Sequence, residues 1–159
     1  MEKFTLNLKT GLCILICLVF MAFSAYIPLD EQFVYLQKKL VDHYDNTQES
    51  KEVKRYELNV TNSGFCRYKR YFNNGKVEYF SFNLMKFASM DYYGTDKNGK
   101  LLLRTKGEDV IVQTHNDKKG DVDSMATYLS IPMKDMEPED LVDLSERLTK
   151  LNGQVLVQK

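Results

Sequence analysis

The stretch FCRYKRYFNNGKVEYFSFNL, residues 65–84, decides the fold of this chain. Its Asn73-Asn74-Gly75 segment is a turn signal between two runs rich in aromatic and basic residues, so it reads as a β-hairpin. A two-residue Asn74-Gly75 turn would set Lys69 opposite Phe80 and Arg67 opposite Phe82. A three-residue loop with Gly75 in the left-handed conformation instead sets Arg70 opposite Glu78, Tyr68 opposite Phe80 and Cys66 opposite Phe82. The second register joins opposite charges and stacks aromatic on aromatic, and is preferred. It sends Cys66, Tyr68, Phe72, Phe80, Phe82 and Leu84 to the core. Arg67, Lys69, Tyr71, Tyr79, Ser81 and Asn83 go to the open face.

Working outward, Tyr56, Leu58 and Val60 alternate with Arg55, Glu57 and Asn59, which predicts another half-buried strand. Before it, PLDEQFVYLQKKLVDHY places Phe33, Leu36, Leu40 and Tyr44 at helical spacing, with Asp30 as N-cap, and DNTQESKE reads as a polar loop. After the hairpin, a strand at about residues 86–93 leads to a turn in GTDKNGK. LLLRTKGEDVIVQTH then reads as a second hairpin turning at Gly107-Glu108, with Leu101, Leu103, Val110 and Val112 on one face and His115 beside Arg104 on the other. SMATYLSIPM reads as one strand with Met125, Thr127, Leu129, Ile131 and Met133 on one side. EPEDLVDLSERLTKLNG is a helix: Pro138 in its first turn, a stripe of Leu141, Leu144, Leu148 and Leu151, and Gly153 just beyond its end. With no helix between consecutive strands, βαβ architecture is excluded. The prediction is an α+β fold: an antiparallel meander of about six strands with an N-terminal and a C-terminal helix packed on one face.

The N-terminal region carries its own signal. Lys3 and Lys9 precede an uncharged run of eighteen residues, Thr10–Ile27, whose most apolar part, Leu12–Phe23, spans twelve. A basic start, a short apolar core, and Ala22 and Ser24 at the small-residue positions predict a signal peptide over residues 1–24, cut between Ser24 and Ala25. The alternative is an uncleaved signal anchor over about residues 10–27, since a spanning helix needs roughly 17–25 residues. Either way the basic residues are expected to stay inside and residues 28–159, one globular α+β domain, to work outside the cytoplasm, as a periplasmic, secreted or membrane-anchored domain. Cys13 and Cys17 follow Leu12 and Ile16 rather than small residues, so neither fits a lipidation site.

Twenty-two basic residues balance twenty-two acidic ones. Without residues 1–24 the chain retains 20 and 21, so no strong field exists to collect nucleic acid. Beyond the leader only Cys66 remains, which rules out an internal disulfide, and His43, Cys66 and His115 are too isolated for a Cys/His metal site. A Cys66–His115 nucleophilic pair is disfavoured because the two fall on opposite faces. Asp117, Asp121 and Asp123 lack the EF-hand spacing and read as a solvated turn. NVT at Asn59–Thr61 matches the glycosylation sequon. No catalytic constellation, metal or cofactor motif is present.

The strongest surface candidate is the basic and aromatic cluster Arg67, Lys69, Tyr71 and Tyr79. The expectation is a small, exported, non-enzymatic binding or interaction domain whose partner is a protein, a glycan or an envelope component, with membrane contact only through the N-terminal segment. A second expectation is a carrier of an apolar small molecule, in a cavity between sheet and helix lined by Phe80, Phe82, Leu101 and Met125.

Overall fold

The computed structural model describes residues 29–157; the expected leader and the expected Ser24–Ala25 cut lie outside the described residues. The order is α1 (Leu29–Asp42), a 3-10 turn (Asn46–Gln48), β1 (Val53–Val60), β2 (Phe65–Phe72), β3 (Val77–Asn83), a second 3-10 turn (Leu84–Lys86), β4 (Phe87–Gly94), β5 (Asn98–Thr105), β6 (Val110–His115), β7 (Asp123–Ala126), β8 (Tyr128–Lys134) and α2 (Pro138–Val157). The class is α+β and every strand pairing is antiparallel. Eight strands are present rather than about six, divided between a sheet in the order β1-β2-β3-β6-β7 and a smaller one in the order β4-β5-β8.

The β2–β3 hairpin adopts the preferred register: Arg70 faces Glu78, Tyr68 faces Phe80 and Cys66 faces Phe82. Gly75 takes φ +87°, the left-handed conformation that the three-residue loop requires. Two other expectations are overturned. β5 and β6 do not pair: β5 lies between β4 and β8, while β6 lies between β3 and β7. The segment at Lys106–Asp109 therefore crosses between sheets. It is held by Thr105 Oγ1 donating to the Gly107 carbonyl at 2.7 Å and the Gly107 N–H donating to Asp109 at 3.1 Å. Leu101 and Leu103 therefore reach the core from a different sheet than Val110 and the partly buried Val112, and Arg104 lies apart from His115 in the pairing, opposite Tyr128 and Ser89.

SMATYLSIPM is likewise two strands. β7 pairs β6, the chain bends at Thr127, and β8 pairs β5. Leu129, Ile131 and Met133 are buried as expected, but Met125, on the β7 side of the bend, is 48% exposed.

Both helices bury the anticipated stripes: Phe33, Leu36 and Leu40 from α1, and Leu144, Leu148 and Leu151 from α2, with Leu141 partly covered. α1 packs on β1 and on α2, and α2 packs on β4 and the Leu84–Lys86 turn. α1 begins at Leu29, so Asp30 sits in its first turn rather than capping it, where its charge still suits the helix dipole. α2 runs through Gly153 to Val157; Gly153 is not in the left-handed conformation and so does not stop it.

Candidate functional site

Among the concavities of the described residues, two combine polar side chains with the strands that carry the expected site. The first is the outer face of the five-stranded sheet. Strand alternation places Arg67, Lys69 and Tyr71 on one face of β2, and the register sets Tyr79 directly opposite Lys69. The four expected residues are thus neighbours on one surface. β1 adds Asn59 opposite Arg67, Glu57 opposite Lys69 and Arg55 opposite Tyr71. The cations lie over rings: Arg55 is 4.0 Å from the Tyr71 centroid, Lys69 is 5.3 Å from that of Tyr79, and Arg67 is 5.3 Å from that of Phe65.

The charges on this face are unevenly compensated. Glu57 pairs with Arg55 at 3.0 Å, while Arg67 and Lys69 have no acidic partner among the described residues. The Arg67 Nε is also buried without a hydrogen-bond partner. A recess of about 380 Å³ opens here, between Arg67, Lys69, Glu57, Asn59, Thr61 and the α1 residue Gln37. Ser81 departs from the expected open position and is 1% exposed. It is a short side chain with Arg67 and Ile111 as its register neighbours. Asn59, the sequon asparagine, is exposed on β1, the edge strand.

The second region is a cleft of about 580 Å³ that the sequence did not announce. Its walls include Phe80, Val112 and Ala126 of the five-stranded sheet and Lys100, Tyr128, Ser130 and Pro132 of the smaller one. Ser130 and Pro132 alternate with the buried Leu129, Ile131 and Met133, so the cleft lies on the side of β8 away from those core residues.

Arg70, also lining it, is at the centre of a polar network. Its side chain has the same parity as Cys66 and Tyr68, so a guanidinium projects from the core face of β2. Its Nη1 donates to Glu49 at 3.1 Å and its Nη2 donates to Glu78. Lys76 joins Glu78 at 2.8 Å and Asp117 at 2.9 Å. Glu49, whose side chain is 6% exposed, also accepts from the hydroxyls of Tyr44 and Tyr68. Burial, and then these carboxylate contacts, raise both phenols above their ordinary value, so both remain protonated donors. Burial opposes the charge on Arg70, but Glu78 and Glu49 outweigh it and keep the guanidinium ionised.

The sequence hinted at this network only through the Arg70–Glu78 pairing. Glu49 lies in the polar loop segment DNTQESKE, where Asp45 caps the 3-10 turn, accepting from the Thr47 N–H at 2.9 Å, and so brings Glu49 over the sheet. Because Arg70 is committed to two carboxylates, and Lys100 is matched in the lining by Glu108, the cleft carries no net charge.

The other candidates are structural. Cys66 is fully buried on the inner face, its thiol pushed up to about 12 by desolvation. His115 is exposed, opposite Val77 on the outer face. Asp117 accepts from the Lys119 N–H at 3.0 Å and Asp121 from the Asp117 N–H at 2.9 Å, which makes this segment a self-bonded turn. Phe80, Phe82, Leu101 and Met125 do not enclose a common cavity: Phe82 and Leu101 are packed in the core, Phe80 lines the cleft and Met125 faces solvent. No family model, curated protein or solved structure matches the chain.

Proposed function

We propose that the chain is a small, exported, non-enzymatic binding domain that engages a protein, glycan or envelope component through the outer face of its five-stranded sheet. The observation that carries this reading is the pair of uncompensated cations, Arg67 and Lys69, set among half-buried aromatic rings on a continuous sheet surface. A surface cation with no intramolecular carboxylate is available to an acidic ligand, and the rings beneath Arg67 and Lys69 hold each in place. The leader supports an extracytoplasmic site of action, and the burial of Cys66 away from His115 supports a non-enzymatic role.

The test is binding by the full chain to an immobilised glycan panel and to envelope fractions, alongside the variant Arg67→Ala/Lys69→Ala/Tyr79→Ala. Loss of binding at an unchanged melting temperature is the expected result; undiminished binding by the variant removes the face from consideration. Intact mass of the protein recovered from its native envelope or medium reads the leader. A chain beginning at Ala25 marks a secreted or periplasmic domain, and an uncut chain in the membrane fraction marks an anchored one.

A further inference from the structure

We propose that the recess at the β1–β2 end of the outer face takes the anionic group of an acidic saccharide, with Arg67 and Lys69 as its ligating cations. This assignment rests on the binding-face reading and names the ligand chemistry of the same surface.

Charge comes first. Glu57, the acid nearest Lys69 in the register, is engaged by Arg55 at 3.0 Å, and the register neighbours of Arg67 are the neutral Asn59 and Ser81. The recess therefore holds two positive charges against one carboxylate, Glu57, which is itself engaged by Arg55, and so keeps a net positive charge. The Arg67 Nε is buried and makes no hydrogen bond, although buried donors are almost always satisfied. An acceptor entering the recess would meet the Arg67 guanidinium, which has no carboxylate partner, as well as the Coulomb attraction. A guanidinium fork also matches a planar carboxylate or a sulfate better than an ammonium does.

The surroundings select the kind of molecule carrying the anion. An acidic peptide would gain most of its affinity by adding as a strand to the β1 edge. Beside the recess that route is blocked, because the Gln37 side chain donates to the Leu58 carbonyl at 2.8 Å and accepts from the Val60 N–H at 2.5 Å. The exposed Asn59 amide remains, a neutral donor and acceptor suited to hydroxyls beside the charged group. Two cations on a chain of balanced charge suit one or two anionic groups rather than a polyphosphate backbone.

The experiment titrates the full chain with an oligogalacturonate, a heparin-derived oligosaccharide, a neutral cello-oligosaccharide and poly-glutamate, in low and high salt. Binding of the oligogalacturonate, the heparin fragment or both, weakened by salt, is expected; the first arm reads carboxylate and the second sulfate. Arg67→Gln and Lys69→Gln should each weaken that binding about tenfold or more, with Arg67→Lys in between. Melting temperatures identify any variant that has lost its fold, and Lys69→Gln serves as the independent check on Arg67. Poly-glutamate binding as tight as the saccharides, binding of the neutral sugar alone, or full affinity in folded Arg67→Gln and Lys69→Gln overturns the proposal. If neither acidic saccharide binds while Arg67→Ala/Lys69→Ala/Tyr79→Ala abolishes capture of a component from the glycan panel or envelope, the ligand assignment falls and the binding face stands. If that variant captures as well as the wild type, both fall.

Discussion

Cys66 lies between Val60 and Phe82 on the inner face of the five-stranded sheet, and burial alone pushes its thiol up to about 12. A neutral thiol with no access to solvent cannot attack an electrophile. In the native protein Cys66 should therefore resist iodoacetamide at pH 8 and be alkylated once the chain is unfolded in urea, read at Cys66 by peptide mapping so that Cys13 and Cys17 do not count; rapid labelling of Cys66 in the folded chain would contradict the placement. Cys66→Ser puts a hydroxyl in an apolar site and is expected to cost about 1–3 kcal/mol, read from the urea midpoint. Arg70 presents the opposite case, a charge on the core face that is tolerated because two acids meet it. Arg70→Ala strands Glu49, whose side chain is 6% exposed, and should cost about 2–3 kcal/mol, less than a fully buried pair because Arg70 itself is 29% exposed. Arg70→Met combined with Glu49→Gln and Glu78→Gln removes the charges together and should recover most of that loss. A triple variant no more stable than Arg70→Ala would show that the network matters for more than mutual neutralisation.

The contact between α1 and α2 ties stability to pH. Lys39 meets Asp140 at 2.5 Å, Arg147 donates to Asp143 at 2.9 Å, and the Tyr35 hydroxyl donates to the same carboxylate. The Lys39 hydrogen bond holds Asp140 below its ordinary value. For Asp143, burial pulls upward, but Tyr35 and Arg147 prevail and the net direction is down. A carboxylate depressed in the folded state adds stability above its unfolded value, near 3.8, and loses it as pH falls through the lower folded value. Asp140→Asn/Asp143→Asn should lower stability at pH 7 by about 1–2 kcal/mol in total, since both groups are partly exposed. The deficit should vanish by about pH 2. A constant deficit across the range would point to packing rather than charge. The helices themselves were legible in the sequence because a stripe such as Leu144, Leu148 and Leu151 can be buried in only one way. Strand partners were less so. Leu101, Leu103, Val110 and Val112 have the same alternation whether β5 and β6 share a sheet or face each other across a core, and Gly107-Glu108 fits a tight hairpin or a crossover. In residues 65–84 opposite charges and aromatic rings had to meet across the hairpin, so the register there was fixed locally.

The chain passes between its two sheets at the Leu84–Lys86 turn, at Lys106–Asp109 and at the Thr127 bend. The long cleft exists because of that division, and for the same reason it was invisible in the sequence: strand periodicity gives the face of each residue but not where one sheet leaves another. The outer-face cluster escaped this difficulty, since Arg67, Lys69, Tyr71 and Tyr79 depend only on one local hairpin. The sheet division also raises the question of whether the β4-β5-β8 unit is a separate folding body. Its inner residues Leu101, Leu103, Leu129, Ile131 and Met133 belong to the same buried cluster as Leu36 of α1, Phe82 of β3 and Leu148 of α2, so neither sheet retains a covered face when the other leaves. The expectation is a single cooperative transition, with far-ultraviolet circular dichroism and tyrosine fluorescence giving the same urea midpoint. Leu129, 1% exposed and opposite Leu103, sits where the three-stranded sheet meets this core. Leu129→Ala should cost about 2–5 kcal/mol and move both probes together. If the smaller sheet were independent, the variant would split the transition and leave the five-stranded sheet melting at the wild-type midpoint.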